Sequence, residues 1–353
     1  MEATYVKGKR TSSYAKARYA YGTARVHAMR IKLFPSDTYK KLLVMDLPEI
    51  TRFIEESEYK QEVDELARRY AGIDLVEFAL HLNLARTFTK LMEMTMGEPH
   101  DLIVEYLRRW DVWNIKTILR GKSYGASDDE ILRVLIPSGE LSIDFLRGLV
   151  RKADMGEVIA ALKGTIYYEA VKDIDFKESL MKLEDELDKF YYRRLTEAIS
   201  KATGFSLFLR YIKMEIDIVN VKTLFRLKRA GISGPRALDY VIPGGLVFTD
   251  KDLKEMANAS FEEFVSTLKG YRYWSAISDV VTERMESLHA IEMGLDKFLA
   301  DYVWRIARFY PISILPILGY MLSKYVELEN IRAIVRGKEA KLSEETIRDY
   351  IVL

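Results

Sequence analysis

The chain has no cysteine among its 353 residues. That removes disulfides, thiolate zinc sites, iron–sulfur clusters and cysteine nucleophiles together, and it weakly favours a reducing or hot compartment. Histidine is scarce too. His27, His81, His100 and His289 are the four present, none in an HExxH pattern or paired at ligand spacing, so neither a histidine-held metal nor a histidine triad is expected. No apolar run is long enough to cross a bilayer: the greasiest stretch, Pro311 to Leu322, holds two prolines and falls short of the ~20 apolar residues a spanning helix needs. The opening MEATYVKGKRTSSYAKAR is basic and has no apolar centre, so it reads as a tether rather than a secretory signal. An excess of one charge is also missing. Lys and Arg total 54 against 53 Asp and Glu, a formal net charge of +1, which argues against a nucleic-acid binder. Gly8 to Thr11 spell GKRT without the upstream glycine of a phosphate-binding loop.

What is there is a folded composition, 49% hydrophobic and 30% charged, in a chain long enough for two or three units at about 150 residues per domain. Eight prolines and 19 glycines are few, and apolar residues recur at three- and four-residue spacing, so the expected class is all-α. The periodicity predicts helices over Asp74 to Met94, Asp101 to Arg120, Asp128 to Leu135, Asp175 to Ala202, Ser206 to Arg229, Asp279 to Tyr310 and Leu315 to Val335.

Self-similarity dominates the sequence. WDVWNIKTILRGK (Trp110 to Lys122) returns as IDIVNVKTLFRLK (Ile216 to Lys228) and as VELENIRAIVRGK (Val326 to Lys338). Asp111, Asp217 and Glu327 each stand three residues before Asn114, Asn220 and Asn330. Ile136-Pro137 matches Ile242-Pro243. A second element, Leu183-Glu184 through Phe190, is echoed by Ile291-Glu292 through Phe298 and more weakly by Val76-Glu77 through His81. The third asparagine copy stops at Val352-Leu353, before its Ile-Pro turn, whereas the N-terminal region offers Leu47-Pro48-Glu49 and then Phe53 to Tyr59. These matches predict three similar helical units in a pseudo-threefold funnel or ring, since similar units bury similar faces against each other. The units are 1–105 (partly completed by the C-terminus), 106–210 and 211–320, with 321–353 a partial repeat closing the ring.

Asparagine is a poor mid-helix residue, so Asn114, Asn220 and Asn330, with Asp111, Asp217 and Glu327 one turn earlier on the same face, are assigned to architecture. Lys116 and Arg120, Lys222 and Arg226, and Arg332 and Arg336 place like charges four apart, which costs a few tenths of a kcal/mol. One such pair reads as a solvated face. Three in register point to a compensating negative group, in an external acidic partner or at neighbouring helix C-termini, and make these six the candidate partner-binding residues. Glu184-Asp185-Glu186 with Asp188 could hold Mg²⁺ in a helical enzyme, but the repeat keeps two of the four acids, as a charged surface would allow. Tyr167 and Tyr273 sit at equivalent positions and read as core edge or as a protein interface. No catalytic, cofactor or metal residue is assigned.

The three repeated segments, the LDKF helices and YAYGTARVHAMR (Tyr19 to Arg30) together resemble the C-subunit family of the archaeal A-type ATP synthase, which is related to the d subunit of the V-type ATPase. The resemblance implies a non-catalytic central-stalk component without cofactors, peripheral to the cytoplasmic face of the membrane. Its partners would be the central shaft and the proteolipid rotor ring, between which it transmits torque. The reading from a different class is a helical scaffold that binds a partner in a central cavity, unrelated to ion transport.

Overall fold

A computed structural model describes residues 13–174, 180–202, 205–281 and 288–351, with side chains from residue 19 onward. Among the described residues every regular element is helical. The order begins with α1 (Ser13–Arg30), α2 (Ser36–Val44), α3 (Leu47–Glu55), α4 (Lys60–Leu66) and α5 (Gly72–Glu93). Then come α6 (Glu98–Leu107), α7 (Arg109–Tyr124), α8 (Asp128–Arg133), α9 (Ile143–Val150), α10 (Met155–Ala161), α11 (Tyr168–Val171) and α12 (Leu180–Lys201). After α13 (Ser206–Arg229) follow α14 (Pro235–Leu238), α15 (Asp250–Asn258), α16 (Phe261–Leu268), a 3-10 turn at Trp274–Ala276 and α17 (Leu288–Ala307), and last α18 (Leu315–Glu339) and α19 (Glu344–Arg348).

Two expected helices differ most in extent, and the start expected at Asp175 for α12 lies outside the described residues. The one expected over 101–120 is divided at Arg108, which keeps helical dihedrals (φ −58°, ψ −13°) while its guanidinium is held by Glu105 and Glu140. The one expected from Asp279 begins at Leu288, because residues 279–281 continue the turn after Trp274–Ala276; 282–287 lie outside the described residues.

Local chemistry starts the short helices. Asp46 with Glu49, Ser127 with Glu130, Thr249 with Asp252 and Ser260 with Glu263 form reciprocal capping boxes at α3, α8, α15 and α16, each satisfying amides that a helix start leaves orphaned. Pro48 falls in the first turn of α3, where its missing N–H costs nothing.

The long helices pack in a cycle that returns on itself: α6 and α7 against α12, α12 against α13, α13 against α17, α17 against α18, α18 against α5, and α5 against α6. Helices α13 and α18 bury side chains on several faces, as helices with neighbours on more than one side must. Each Leu, Ile or Phe fully buried here contributes roughly 1.5–3 kcal/mol of transfer free energy. Size exchange preserves one repeated contact. Gly121 and Gly337 lie against Ile131 and Ile347, so close that a Cβ would come within 2.4 and 2.5 Å of them. At the matching positions of the other copy, buried Leu227 and Ala237 reverse the sizes, the kind of volume-conserving swap cores tolerate best. Both ends of the chain meet at α18, which packs on α1, α2, α3 and α5.

Candidate functional site: acidic joints, basic pairs and a central cavity

Each repeated acid ties its helix to a distant loop and a distant tyrosine. Asp111, fully buried on α7, accepts from the amides of Glu140 (2.8 Å) and Leu141 (2.9 Å) and from the Tyr167 hydroxyl (2.7 Å). Asp217 on α13 accepts from Leu246 N (3.0 Å), Val247 N (2.8 Å) and the Tyr273 hydroxyl (2.8 Å). Glu327 on α18 accepts from Phe34 N (2.5 Å), the Tyr59 hydroxyl (2.5 Å) and the Lys324 ammonium (2.8 Å). Burial raises the carboxyls of Asp111 and Asp217, and the hydroxyl and amide donors pull the other way. Burial also pushes the Tyr167 and Tyr273 phenols up, with the adjacent carboxylate adding to the effect. Of the two readings, core and protein interface, Tyr167 and Tyr273 take the first: both are interior residues.

Two of the asparagines bridge the backbone amide and carbonyl of a single residue. Asn114 donates to the Ile136 carbonyl (2.8 Å) and accepts from its amide (2.8 Å), and Asn220 does the same at Ile242 (2.7 and 2.8 Å). Asn330 hydrogen-bonds the Tyr39 hydroxyl; the position equivalent to Ile136 and Ile242 in its copy, Val352, lies outside the described residues. Beside the acids stand two glycines outside the repeated motif. A Cβ on Gly139 would lie 2.1 Å from Asp111 Oδ1, and one on Gly245 1.9 Å from Asp217 Oδ1, so only glycine leaves room for the carboxylate. The sequence carries that signal in their shared place, three residues after each Ile136 and Ile242.

The basic pairs face the LDKF helices. Lys116 reaches Asp188 (2.5 Å) and Arg120 grips Glu184 through two bonds (2.5 and 2.6 Å). Lys222 reaches Asp296 (2.5 Å) and Arg226 reaches Glu292 (2.6 Å). In the third copy Arg336 holds Glu77, and Arg332 divides itself between Glu329 (2.8 Å) and Glu77 (3.7 Å). Compensating charge for the pairs is thus supplied inside the chain. The same contacts occupy the acidic run read as a possible Mg²⁺ holder, since Glu184 and Asp188 are engaged as above and Asp185 and Glu186 pair with Lys189 (2.5 and 3.2 Å). Among the described residues no group of three or more His, Asp or Glu is arranged to hold a metal.

One position breaks the pattern. Where α12 and α17 carry Asp188 and Asp296, four residues after their glutamates, α5 carries His81. Its ring is buried and, among the described residues, neither nitrogen has a partner at normal hydrogen-bond geometry; only the Arg133 backbone favours its charged form. Burial first, then the positive charges of Arg332 and Arg336, hold the imidazole neutral and lower its pKa to about 3. An unfolded chain would take up that proton near pH 6.5, so stability contributed by neutral His81 is present above that pH and declines as pH falls towards 3. A drop from pH 6.5 to 5 is expected to remove about 2 kcal/mol through this residue. Urea unfolding at both pH values checks it: His81→Gln should flatten the dependence by that amount, and an unchanged slope would refute it.

Between units, Arg109 on α7 pairs with Glu215 on α13 (2.8 Å) and donates to the Tyr191 hydroxyl (3.0 Å). Burial pulls the pKa of its guanidinium down, but the Glu215 carboxylate and the surrounding tyrosines outweigh burial and hold it well above its ordinary value. Beside it is a cavity of about 190 Å³ lined by Phe88, Tyr106, Trp110, Trp113, Met321 and Tyr325 among others. Arg109, Glu215 and Tyr325 occupy one repeat position, five residues before Asn114, Asn220 and Asn330.

These features define an all-α repeat protein whose recurrent polar residues hold its own segments together. Comparison with known proteins supplies the family. The model of the ATP synthase (C/AC39) subunit family matches residues 23–350, and the chain belongs to that family. It is 45% identical over 349 residues to the C subunit of the A-type ATP synthase of Methanococcoides burtonii, covering 98% of both chains. It is 45% identical to the protein of that name from Methanosarcina acetivorans (96% of this chain, 93% of that one) and 40% identical to the one from Archaeoglobus fulgidus (96% and 97%). No helix among the described residues is long and apolar enough to cross a membrane.

Proposed function

We propose that the chain is the non-catalytic central-stalk component of an A-type ATP synthase, a socket that couples the central shaft to the proteolipid rotor ring at the cytoplasmic face of the membrane. The observation that carries this reading is the closed cycle of long helices, with a cavity between α5, α6, α7 and α18, in a chain belonging to the ATP synthase (C/AC39) subunit family. A repeat position at which one copy bonds the next, as Arg109 does Glu215, belongs near the axis of an approximately threefold body. The acid joints support three units, since Asp111 ties α7 to Leu141 and Tyr167, Asp217 ties α13 to Val247 and Tyr273, and Glu327 ties α18 to Phe34 and Tyr59, the last unit drawing on both ends of the chain. A body of this kind suits torque transfer: the buried acid joints stiffen each unit, and three unequal units grip a shaft in one orientation.

The side chains of Arg120, Arg226 and Arg336 are 47%, 56% and 51% exposed despite their internal partners, so they retain hydrogen-bonding edges for an acidic surface of the shaft. The double reversal Arg120→Glu with Arg226→Glu is expected to weaken assembly with the shaft at least tenfold and to flatten its salt dependence, with helicity intact because exposed pairs contribute ~1 kcal/mol or less. Titration of the purified shaft subcomplex at two salt concentrations measures this. Unchanged affinity would return the arginines to a purely internal role.

A further inference from the structure

The free positive charge of this molecule lies away from the repeated basic pairs. Helix α1 crosses the end of the helix cycle at which α5, α12 and α17 turn into α6, α13 and α18. Tyr19 packs edge-on against Phe205 at 6.2 Å, Gly22 lies within reach of Thr95, the Met94 carbonyl and Ile317, and the Arg30 guanidinium stacks 3.8 Å above the Trp304 ring. All three inter-unit connections therefore meet at α1. On this end Ile31, Met96, Phe309, Tyr310 and Ile312 are exposed at 85%, 78%, 75%, 50% and 48%, three of them within four residues of one loop. Among them stand Arg25, Arg30, Lys32, Arg305 and Arg308, all exposed, and among the described residues none of the five has an ion-pair partner. The basic opening of the sequence, with Lys7, Lys9, Arg10, Lys16 and Arg18 against Glu2, leads into the same helix.

Unpaired cations interleaved with exposed aromatic and aliphatic tips are the chemistry of a surface that rests at the headgroup level of a bilayer, where rings sit at the interface and Lys or Arg meet phosphates. Phe309, Tyr310 and Ile312, exposed within four residues of one loop, form an apolar cluster rather than a scattered single residue. At the other end the corresponding cations are consumed by Asp188, Glu184, Asp296, Glu292 and Glu77.

We infer that the α1-capped end binds an anionic lipid surface directly, through the 309–312 loop and the cations of α1 and α17. This deepens the central-stalk reading, on which it rests for the claim that the chain works at a membrane, by fixing which end faces the bilayer.

The test floats the purified full chain with vesicles of equimolar phosphatidylglycerol and phosphatidylcholine, and with vesicles of phosphatidylcholine alone. Binding is expected to the anionic vesicles only and to be released by raised salt. Arg305→Glu with Arg308→Glu should lower the partition at least ~tenfold, and Phe309→Ser with Tyr310→Ser should lower it as well, each with unchanged helicity by circular dichroism. Arg120→Glu with Arg226→Glu should leave it unchanged. Equal binding to neutral vesicles, no binding, or indifference to the α1-end variants would overturn the inference. If vesicles are ignored but the same variants fail to join the detergent-solubilised membrane sector, the surface belongs to a protein partner; that result removes the lipid claim and leaves the central-stalk reading standing.

Discussion

Glu327→Ala is expected to destabilise the protein by about 3–5 kcal/mol, the usual cost of leaving a buried ionic partner uncompensated. The Glu327 carboxylate is 2% exposed and the Lys324 ammonium beside it 1%. Removing the acid leaves that ammonium on Glu58 and Tyr59 alone and orphans the Phe34 amide, and each buried group left without its partner costs ~1–3 kcal/mol. These effects overlap in one network, so they do not sum. A loss of this size is a large part of the ~5–15 kcal/mol that separates folded from unfolded domains. Urea unfolding gives the total, and limited proteolysis locates it, because residues 31–60 should open first as their joint to α18 fails. Glu327→Gln keeps an acceptor and should cost about half as much. A change under ~1 kcal/mol in the alanine variant would mean that this joint does not hold the two ends of the chain together.

The second large effect comes from a single methyl group. Gly139 has no positive φ, and at such a position Gly→Ala ordinarily stabilises by ~0.4–1 kcal/mol through the unfolded state. Here the sign is expected to reverse. The new Cβ would lie 2.1 Å from Asp111 Oδ1 and 2.4 Å from its Cγ, so the carboxylate has to leave the amides of Glu140 and Leu141 and the Tyr167 hydroxyl. Overpacking strain and the lost bonds together give an expected cost of about 2–4 kcal/mol. The coupling is measurable: in an Asp111→Ala background Gly139→Ala should cost much less, with an interaction energy of ~1–3 kcal/mol in the double-mutant cycle. Additive effects would show that the glycine is present for another reason.

Those joints mark how far the sequence is legible and where legibility stops. Helical class follows from period alone, and α13 begins and ends at the expected residues. The repeat singles out Asp111 and Asn114 with their counterparts because one chemical pattern recurs at one spacing, but not what they hold, since their partners are backbone groups 22 to 30 residues away and a tyrosine 56 residues away. A clue is present in the identical 56-residue separation of Asp217 and Tyr273.

The N-terminal third is hardest to read because its partner helix lies almost 300 residues downstream. Pro48 starts α3, and the amide that Glu327 holds, in the role of the Glu140 and Leu141 amides on Asp111, is that of Phe34. There the longer glutamate spans what aspartate spans in the other copies. Replacement of Asp188 and Asp296 by His81 similarly disguises α5 as a weak relative, although Glu77 keeps its place and its arginine.

Because the chain contains no cysteine, one introduced thiol reports one position. The most direct test of the central claim is Trp113→Cys, at the half-exposed rim of the cavity between α5, α6, α7 and α18, with a short thiol-to-amine cross-linker applied to the assembled ATP synthase and the cross-linked partner identified by mass spectrometry. The socket reading predicts a cross-link to a component of the central shaft. No cross-link in the intact complex, or one to a component of the stationary outer stalk, would contradict it.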